Sequence, residues 1–271
     1  MDESHASNLT GFSQLLDGLQ ADGEAFSITL APDWLQGRTA YGGLSAALCL
    51  AATLRANPSL PPLRSAQFAF IGPATGMLQI TPSVLRQGKS AVFVGVDLTG
   101  DSGLAVRATL CFGAGRTLPG EYGGLVFPAL RPPNRCPDFY TFANRPNFMD
   151  HFDGRLAGGG AALSASARPE MLVWLRHRDA GVDDLVRLIA LADALPPAAF
   201  AAFDASVPIS TMTWSIDMLD ANPVSANGWW LVQGIAETIE LGYSAQATVI
   251  WSGDGRPVLC ARQTIAIFGA R

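Results

Sequence analysis

The sequence predicts an α+β fold made of two tandem copies of one unit, each a long helix set against a mostly antiparallel sheet. The order of a helix followed by long strands occurs twice, from about residue 24 to 113 and again from about 146 to 268. Between the copies the pattern dissolves into Pro119, Pro128, Pro132, Pro133 and Pro137 with unspaced aromatics, the character of a long connection. The units are therefore placed at 1–115 and 146–271, joined by 116–145.

Residues 11 to 19 read as a short amphipathic helix and Glu24 to Leu30 as a first, imperfectly alternating strand. Gly42-Gly43 opens a helix through Ala56 that is apolar on nearly every side, with Leu44, Ala46, Ala47, Leu48, Leu50 and Ala51, and Asn57-Pro58 ends it. Such a helix must be wrapped by sheet. Strands follow at Ser65 to Ile71, Met77 to Arg86, Ala91 to Leu98 and Leu104 to Phe112, with a hairpin turn at Gln87-Gly88-Lys89-Ser90. The second copy offers strands near Phe148 to Arg155 and Met171 to His177, then a helix from Asp183 to Leu195 stopped by Pro196-Pro197. Asp183 and Asp184 at its start suit the helix dipole. Four more strands run from about Ile209 to Leu219, Trp229 to Glu240, Tyr243 to Trp251 and Val258 to Phe268, with a tight turn at Gly253-Asp254-Gly255.

Composition narrows the function. Hydrophobic residues make up 49% and charged residues 15%, which fits a folded chain with surface covered by a further copy, a dimer or tetramer. The net charge is −5 and Lys89 is the only lysine, so the basic stripe of a nucleic-acid binder is missing. The acidic start Met1-Asp2-Glu3-Ser4-His5 argues against a secretory signal. The apolar run Tyr41 to Leu54 falls short of the ~20 residues that span a bilayer, so no membrane segment is expected. Cys49, Cys111, Cys136 and Cys260 have no paired spacing, which fits reduced thiols in a cytoplasmic protein.

Three polar residues intrude on the apolar pattern of the second copy. Asp193 falls late in the predicted helix, where an acid opposes the dipole, and its neighbours at i−4, i−7 and i−8 are Ile189, Val186 and Leu185. Either it points inward, where burial would raise its pKa and make it a usable base, or it frays into solvent beside Pro196. Gln263 shares a strand face with Leu259, Ala261, Ile265 and Ile267, so its amide must find partners, in a structural or a functional role. Thr211 shares its face with Thr213, Ser215 and Asp217, which by itself reads as surface.

Arg38-x-x-Tyr41-Gly42-Gly43 before an apolar helix, Trp174-Leu175-Arg176 before the second helix, then Asp193, Thr211 and Gln263, together resemble the acyl-CoA thioesterase II family of double-hotdog proteins. The likeness covers nearly the whole chain. It implies two hotdog units, each a helix wrapped by an antiparallel sheet, and an acyl-CoA substrate. It also implies that Asp193, Thr211 and Gln263 hold and activate the attacking water. Tyr41 stands where the family often has phenylalanine, and the segments 113–145 and 158–160 carry no family motif. Thioester hydrolysis needs a positioned water, a base and donors for the oxyanion, and requires neither a metal nor another cofactor. Tyr41, Gly42 and Gly43 are expected to bind the substrate, with backbone N–H groups at Gly42 or Gly43 as the oxyanion donors, although close helix-to-sheet packing also explains these glycines.

Other signals are weaker. Gly88-Lys89-Ser90 has Ser83 where a P-loop needs its leading glycine, and it joins two strands. Gly43-Leu44-Ser45-Ala46-Ala47 lacks the second glycine of a nucleophile elbow, which makes Ser45 a packing residue. His5, His151 and His177 are too dispersed for a metal site or a triad, and surface or linker roles are expected. Trp174, Trp214, Trp229, Trp230 and Trp251 are expected mostly in the core and interfaces. The reading is a cytoplasmic acyl-CoA thioesterase in lipid metabolism. Its alternatives are a non-catalytic acyl-CoA-binding protein and a hotdog-type enoyl-CoA hydratase, the latter disfavoured because no histidine lies near a helix start.

Overall fold

The computed structural model describes residues 9–120, 122–142, 144–179 and 184–269. Helix α1 (Phe12–Asp17) precedes strands β1 (Gln20–Asp22), β2 (Ala25–Thr29), β3 (Leu35–Gln36) and β4 (Thr39–Ala40), and then helix α2 (Gly42–Ala56). Strands β5 (Leu63–Phe70), β6 (Met77–Gln87), β7 (Ala91–Gly100) and β8 (Gly103–Gly113) complete the first copy. The second contains β9 (Phe152–Gly159), β10 (Glu170–His177), helix α3 (Asp184–Leu191), β11 (Ile209–Met218), β12 (Trp230–Glu240), β13 (Tyr243–Ser252) and β14 (Pro257–Ile267).

Twelve strands form one antiparallel sheet in the order β1-β2-β6-β7-β8-β5-β11-β14-β13-β12-β10-β9. The copies join at its centre, where β5 pairs with β11 and Gln67 lies opposite Ser215. Helix α2 packs on β6, β7 and β8, helix α3 packs on β10, and α2 and α3 pack on each other. This is a double hotdog.

Hydrophobic burial explains why α2 sits where it does. Leu44, Ala46, Ala47, Leu48 and Cys49 are fully buried, and the alternating residues Val94, Val96 and Leu98 of β7 and Leu110 and Phe112 of β8 join the same core. Removing a buried leucine such as Leu48 would cost about 2–5 kcal/mol through lost transfer energy and the cavity left behind. Ser45 is also buried, its hydroxyl donating to the Tyr41 carbonyl.

The connection between the copies is mostly irregular, but it covers apolar surface. Strand β10 is buried on both faces. Met171, Val173 and Leu175 enter the main core, while Trp174 joins Leu231 and Trp251 on the far side, beneath Phe127 and Leu130. The Trp174 indole donates to the Arg131 carbonyl and fixes the connection there. Of the expected core tryptophans, Trp229 alone is half-exposed, with the Arg176 guanidinium over its ring.

Several expectations change. The strand expected near Phe148 to Arg155 begins only at Phe152, because Asn147–His151 form a 3-10 turn. A short strand, β1, pairs with β2 where no strand was expected. The second helix ends at Leu191 rather than Leu195. Asp183 and the Met1-to-His5 segment lie outside the described residues. His151 and His177 are buried rather than superficial, because rings of the first copy pack over them: Trp34 stacks on His151 at 3.7 Å and Phe12 lies 5.2 Å from His177. Burial lowers the pKa of both imidazoles and pushes that of His177 down to about 3. Among the described residues no helix is long and apolar enough to cross a membrane.

Candidate active site

Asp193 lies beyond the helix that was expected to contain it. The last turn of α3 closes with Ala192 N–H donating to the Leu188 carbonyl, a turn follows, and Pro196-Pro197 supply no N–H to extend it. The carbonyls left over at this helix end need donors. Two tyrosines supply them: the Tyr41 hydroxyl donates to Ala190 and the Tyr140 hydroxyl to Ala194, each at 3.2 Å. Tyr41 is fully buried and stacks on Phe148 at 4.0 Å. Burial and then the Asp193 charge raise its pKa, so its hydroxyl stays protonated and committed to Ala190. Its contacts in the structure are ring packing and a hydrogen bond at the helix end.

The turn aims Asp193 at the start of α2. Tyr41 at the N-cap of α2 makes no side-chain capping bond, and the Gly43 N–H is hydrogen-bonded by the Asp193 carboxylate instead. An acid expected to oppose one helix dipole thus sits at the favourable end of another. The approach is close enough to require glycine. A Cβ on Gly43 would lie 2.5 Å from the Ala190 carbonyl oxygen, and one on Gly42 would lie 2.6 Å from Asp193 Oδ2.

Burial decides the charge of this carboxyl. Desolvation raises its pKa to about 7, against the lowering effects of hydrogen bonds from Gln263 and Gly43. Gln263 Nε2 donates to Asp193 Oδ1 at 2.6 Å. Gln263 in turn accepts at Oε1 from Gln246 Nε2 at 2.9 Å. Gln246 accepts at Oε1 from the Ala198 N–H and donates to Thr248 Oγ1. A cavity of about 10 Å³ lies against Asp193, Gln246, Thr248 and Gln263, walled by Met171, Leu195 and Val232. Its volume and its polar lining suit one water molecule.

Thr211 required a correction of face. Strict alternation places it with Thr213, Ser215 and Asp217, but the register of β11 against β14 shifts between Thr211 and Thr213. This bulge at Met212 reverses the alternation on its upstream side. Met212 and Thr213 are both exposed, while Thr211 is half-buried on the side of Trp214 and Ile216. It pairs with Ile265, which shares the buried face of β14 with Gln263.

Sequence reasoning missed Gln246 and Thr248. The inward face of β13 carries Ser244, Gln246, Thr248 and Ile250, while Ala245, Ala247 and Val249 face outward. Here the more polar face is the buried one, and that inversion was the available signal.

A larger groove, about 610 Å³, crosses the opposite side of the sheet at the seam, between Arg107 and Arg262 and over Gln67 and Ser215. Asp97 neutralises Arg107 and Glu237 neutralises Arg262. It holds no buried ionisable group, whereas the small cavity holds the buried Asp193 carboxyl, and Gln263 lines both. Neither His151 nor His177 lines that cavity. Among the described residues no cluster of three or more histidine, cysteine or acidic side chains forms a metal site.

Residues 30–113 match the family description "Acyl-CoA thioesterase N-terminal domain" and residues 132–267 match "Acyl-CoA thioesterase C-terminal domain". A conserved protein of unknown function with a hot dog fold from Alicyclobacillus acidocaldarius is similar in structure, with a TM-score of 0.85 and 22% identity over 94% of this chain and 98% of that one. The tesB protein of Mycobacterium avium subs paratuberculosis has a TM-score of 0.79 and 14% identity, covering 96% of this chain and all 100% of its own. The acyl-CoA thioesterase II TesB2 of Mycobacterium marinum has a TM-score of 0.73 and 17% identity, over 94% and 97%. At these identities the structures speak to the fold alone. No curated protein sequence matches the chain.

Proposed function

The chain belongs to the acyl-CoA thioesterase family, and from that premise we propose that it hydrolyses an acyl-CoA thioester to the free acid and CoA, with Asp193 as the general base. The observation that carries the reading is the buried Asp193 carboxyl, raised to about 7 and held between Gln263 and Gly43 at the mouth of a helix. A base with a pKa near neutrality is both available as the anion and strong enough to take a proton.

In this reading a water in the cavity beside Asp193 gives its proton to the carboxylate as its oxygen attacks the thioester carbonyl. Gln263, which lines this cavity, holds the carboxylate and positions the water; the Thr211 hydroxyl, half-buried on the same side of the sheet but outside the cavity wall, is assigned to the water from the family resemblance. Gly43 N–H is engaged by Asp193, which leaves Gly42 N–H at the start of α2 for the oxyanion of the tetrahedral intermediate. Collapse of that intermediate breaks the C–S bond. The proton on Asp193 passes to the departing CoA thiolate, which restores the base. Residues 1–115 and 146–271 act as one catalytic body here: the first supplies the helix start and the second the base and the glutamine. A cytoplasmic location and assembly into a dimer or tetramer belong to the same proposal.

The test is release of free CoA from short, medium, long and aryl acyl-CoAs by the wild type and by Asp193→Asn. Hydrolysis by the wild type and a loss of about a hundredfold or more in the variant is the expected result. Binding of acyl-CoA with no thiol released by the wild type would overturn the hydrolase reading in favour of a binding protein.

A further inference from the structure

The hydrogen bonds behind Asp193 have a direction, and it originates in a backbone amide. The Ala198 N–H belongs to the 3-10 turn Ala198–Ala202 and can only donate. It donates to Gln246 Oε1 at 2.7 Å, so the Gln246 NH2 must face the other way. That NH2 reaches Thr248 Oγ1 at 3.2 Å and Gln263 Oε1 at 2.9 Å. Gln263 then presents its own NH2 to Asp193. Gln246 and Gln263 are direct cross-strand partners on β13 and β14, and both are buried. Without a neighbour to choose for it, a glutamine amide places its oxygen or its nitrogen toward a given point with similar ease. An oxygen turned toward an Asp193 carboxylate would repel it.

We infer that Gln246 is a positioning residue: by donating to Gln263 Oε1 it locks the Gln263 amide with its NH2 toward Asp193, transmitting the orientation set by the Ala198 N–H to the catalytic base. The catalytic consequence rests on the hydrolase reading above. The orientation itself does not. Gln246 makes no hydrogen bond to Asp193 but lines the same small cavity, so the Gln263→Ala background is what separates an influence carried by Gln263 from one exerted directly in the cavity.

Gln246→Glu tests this with almost no change in volume. An ionised glutamate still accepts from the Ala198 N–H but can no longer donate to Gln263 Oε1. Gln263 is then drawn to turn its NH2 toward residue 246 and its oxygen toward Asp193, which favours the protonated carboxyl. The expected result is a kcat lower by about tenfold, the coupling typical of neighbours in one hydrogen-bond network, with KM nearly unchanged. The Asp193 carboxyl, followed by carbon-13 NMR without substrate, should titrate at higher pH than in the wild type. In a Gln263→Ala background only the through-space effect of the new charge is left, so the same substitution should produce a clearly smaller change in both quantities. Thr248→Val removes only one acceptor of Gln246 and should show a smaller change in the same direction, which keeps the test open if Gln246→Glu folds poorly.

An unmoved Asp193 titration in a folded Gln246→Glu or Thr248→Val protein would overturn the inference, as would equal effects with and without Gln263. A shifted titration in a protein that hydrolyses no acyl-CoA would uphold the orientation role and defeat the hydrolase reading instead.

Discussion

Gly42 and Asp193 approach so closely that a Cβ on the glycine would lie 2.6 Å from the carboxylate oxygen Oδ2, with the Phe70 ring 3.2 Å away on another side. The backbone there is ordinary helix start, where alanine is normally tolerated. Gly42→Ala should therefore displace Asp193 rather than unfold α2. Activity should fall by about tenfold or more for a displacement of order 1 Å, with only a modest change in melting temperature. Gly43→Ala is different, because its Cβ would meet the Ala190 backbone oxygen at 2.5 Å. It should cost roughly 1–3 kcal/mol of stability. Thermal unfolding and steady-state kinetics on both variants separate the two effects.

The pH dependence of catalysis follows from the Asp193 pKa of about 7. In the proposed mechanism the carboxylate is the active form, so kcat/KM should climb about tenfold per pH unit below that value and level off above it. Gln263→Ala removes a hydrogen bond that lowers this pKa. Its acidic limb should move to higher pH. A limb that stays in place would separate Gln263 from the base.

Stability should respond to pH in opposite senses at two buried groups. Asp193 rises from its ordinary 3.8 to about 7, so the folded state binds more protons than the unfolded one between those values. Its contribution to stability is complete below about pH 4 and is lost as pH rises through 7. His177 falls from 6.5 to about 3, so there the unfolded state binds more protons. Its contribution is complete above about pH 6.5 and is lost as pH falls toward 3. His177→Gln should flatten the acid side of the stability curve in urea titrations at pH 4.5 and 7.

Thr211→Val keeps the shape of the side chain and removes the hydroxyl. Its expected cost in kcat is about tenfold, the worth of one hydrogen bond to the positioned water, with little change in stability. Thr211→Ser should recover most of the activity. Equal rates for the valine and wild-type proteins would remove Thr211 from the mechanism.

Periodicity and punctuation in the chain were enough to locate the long elements. The apolar run after Gly42-Gly43 stops at Asn57-Pro58, and the observed helix Gly42–Ala56 has those bounds. The turn at Gly88 joins β6 and β7 as a hairpin. The doubled order of helix and strands, and the odd polar residues at 193 and 263, were equally legible, because each is a departure from a local pattern, whereas Thr211 stood out only through the family resemblance. Three decisive features were not local. The bulge that turns Thr211 inward exists only in the register of β11 against β14. The inward polar face of β13 reverses the usual rule, because Gln246 and Thr248 are satisfied by one another, by Gln263 and by Ala198. The charge of Asp193 depends on burial and on two donors, Gly43 and Gln263, each brought from a distant part of the chain. Sequence determined which elements form, since propensity, capping and period act over a few residues. Tertiary structure decided which side chains meet in low dielectric, and there desolvation and hydrogen bonds set protonation and orientation together.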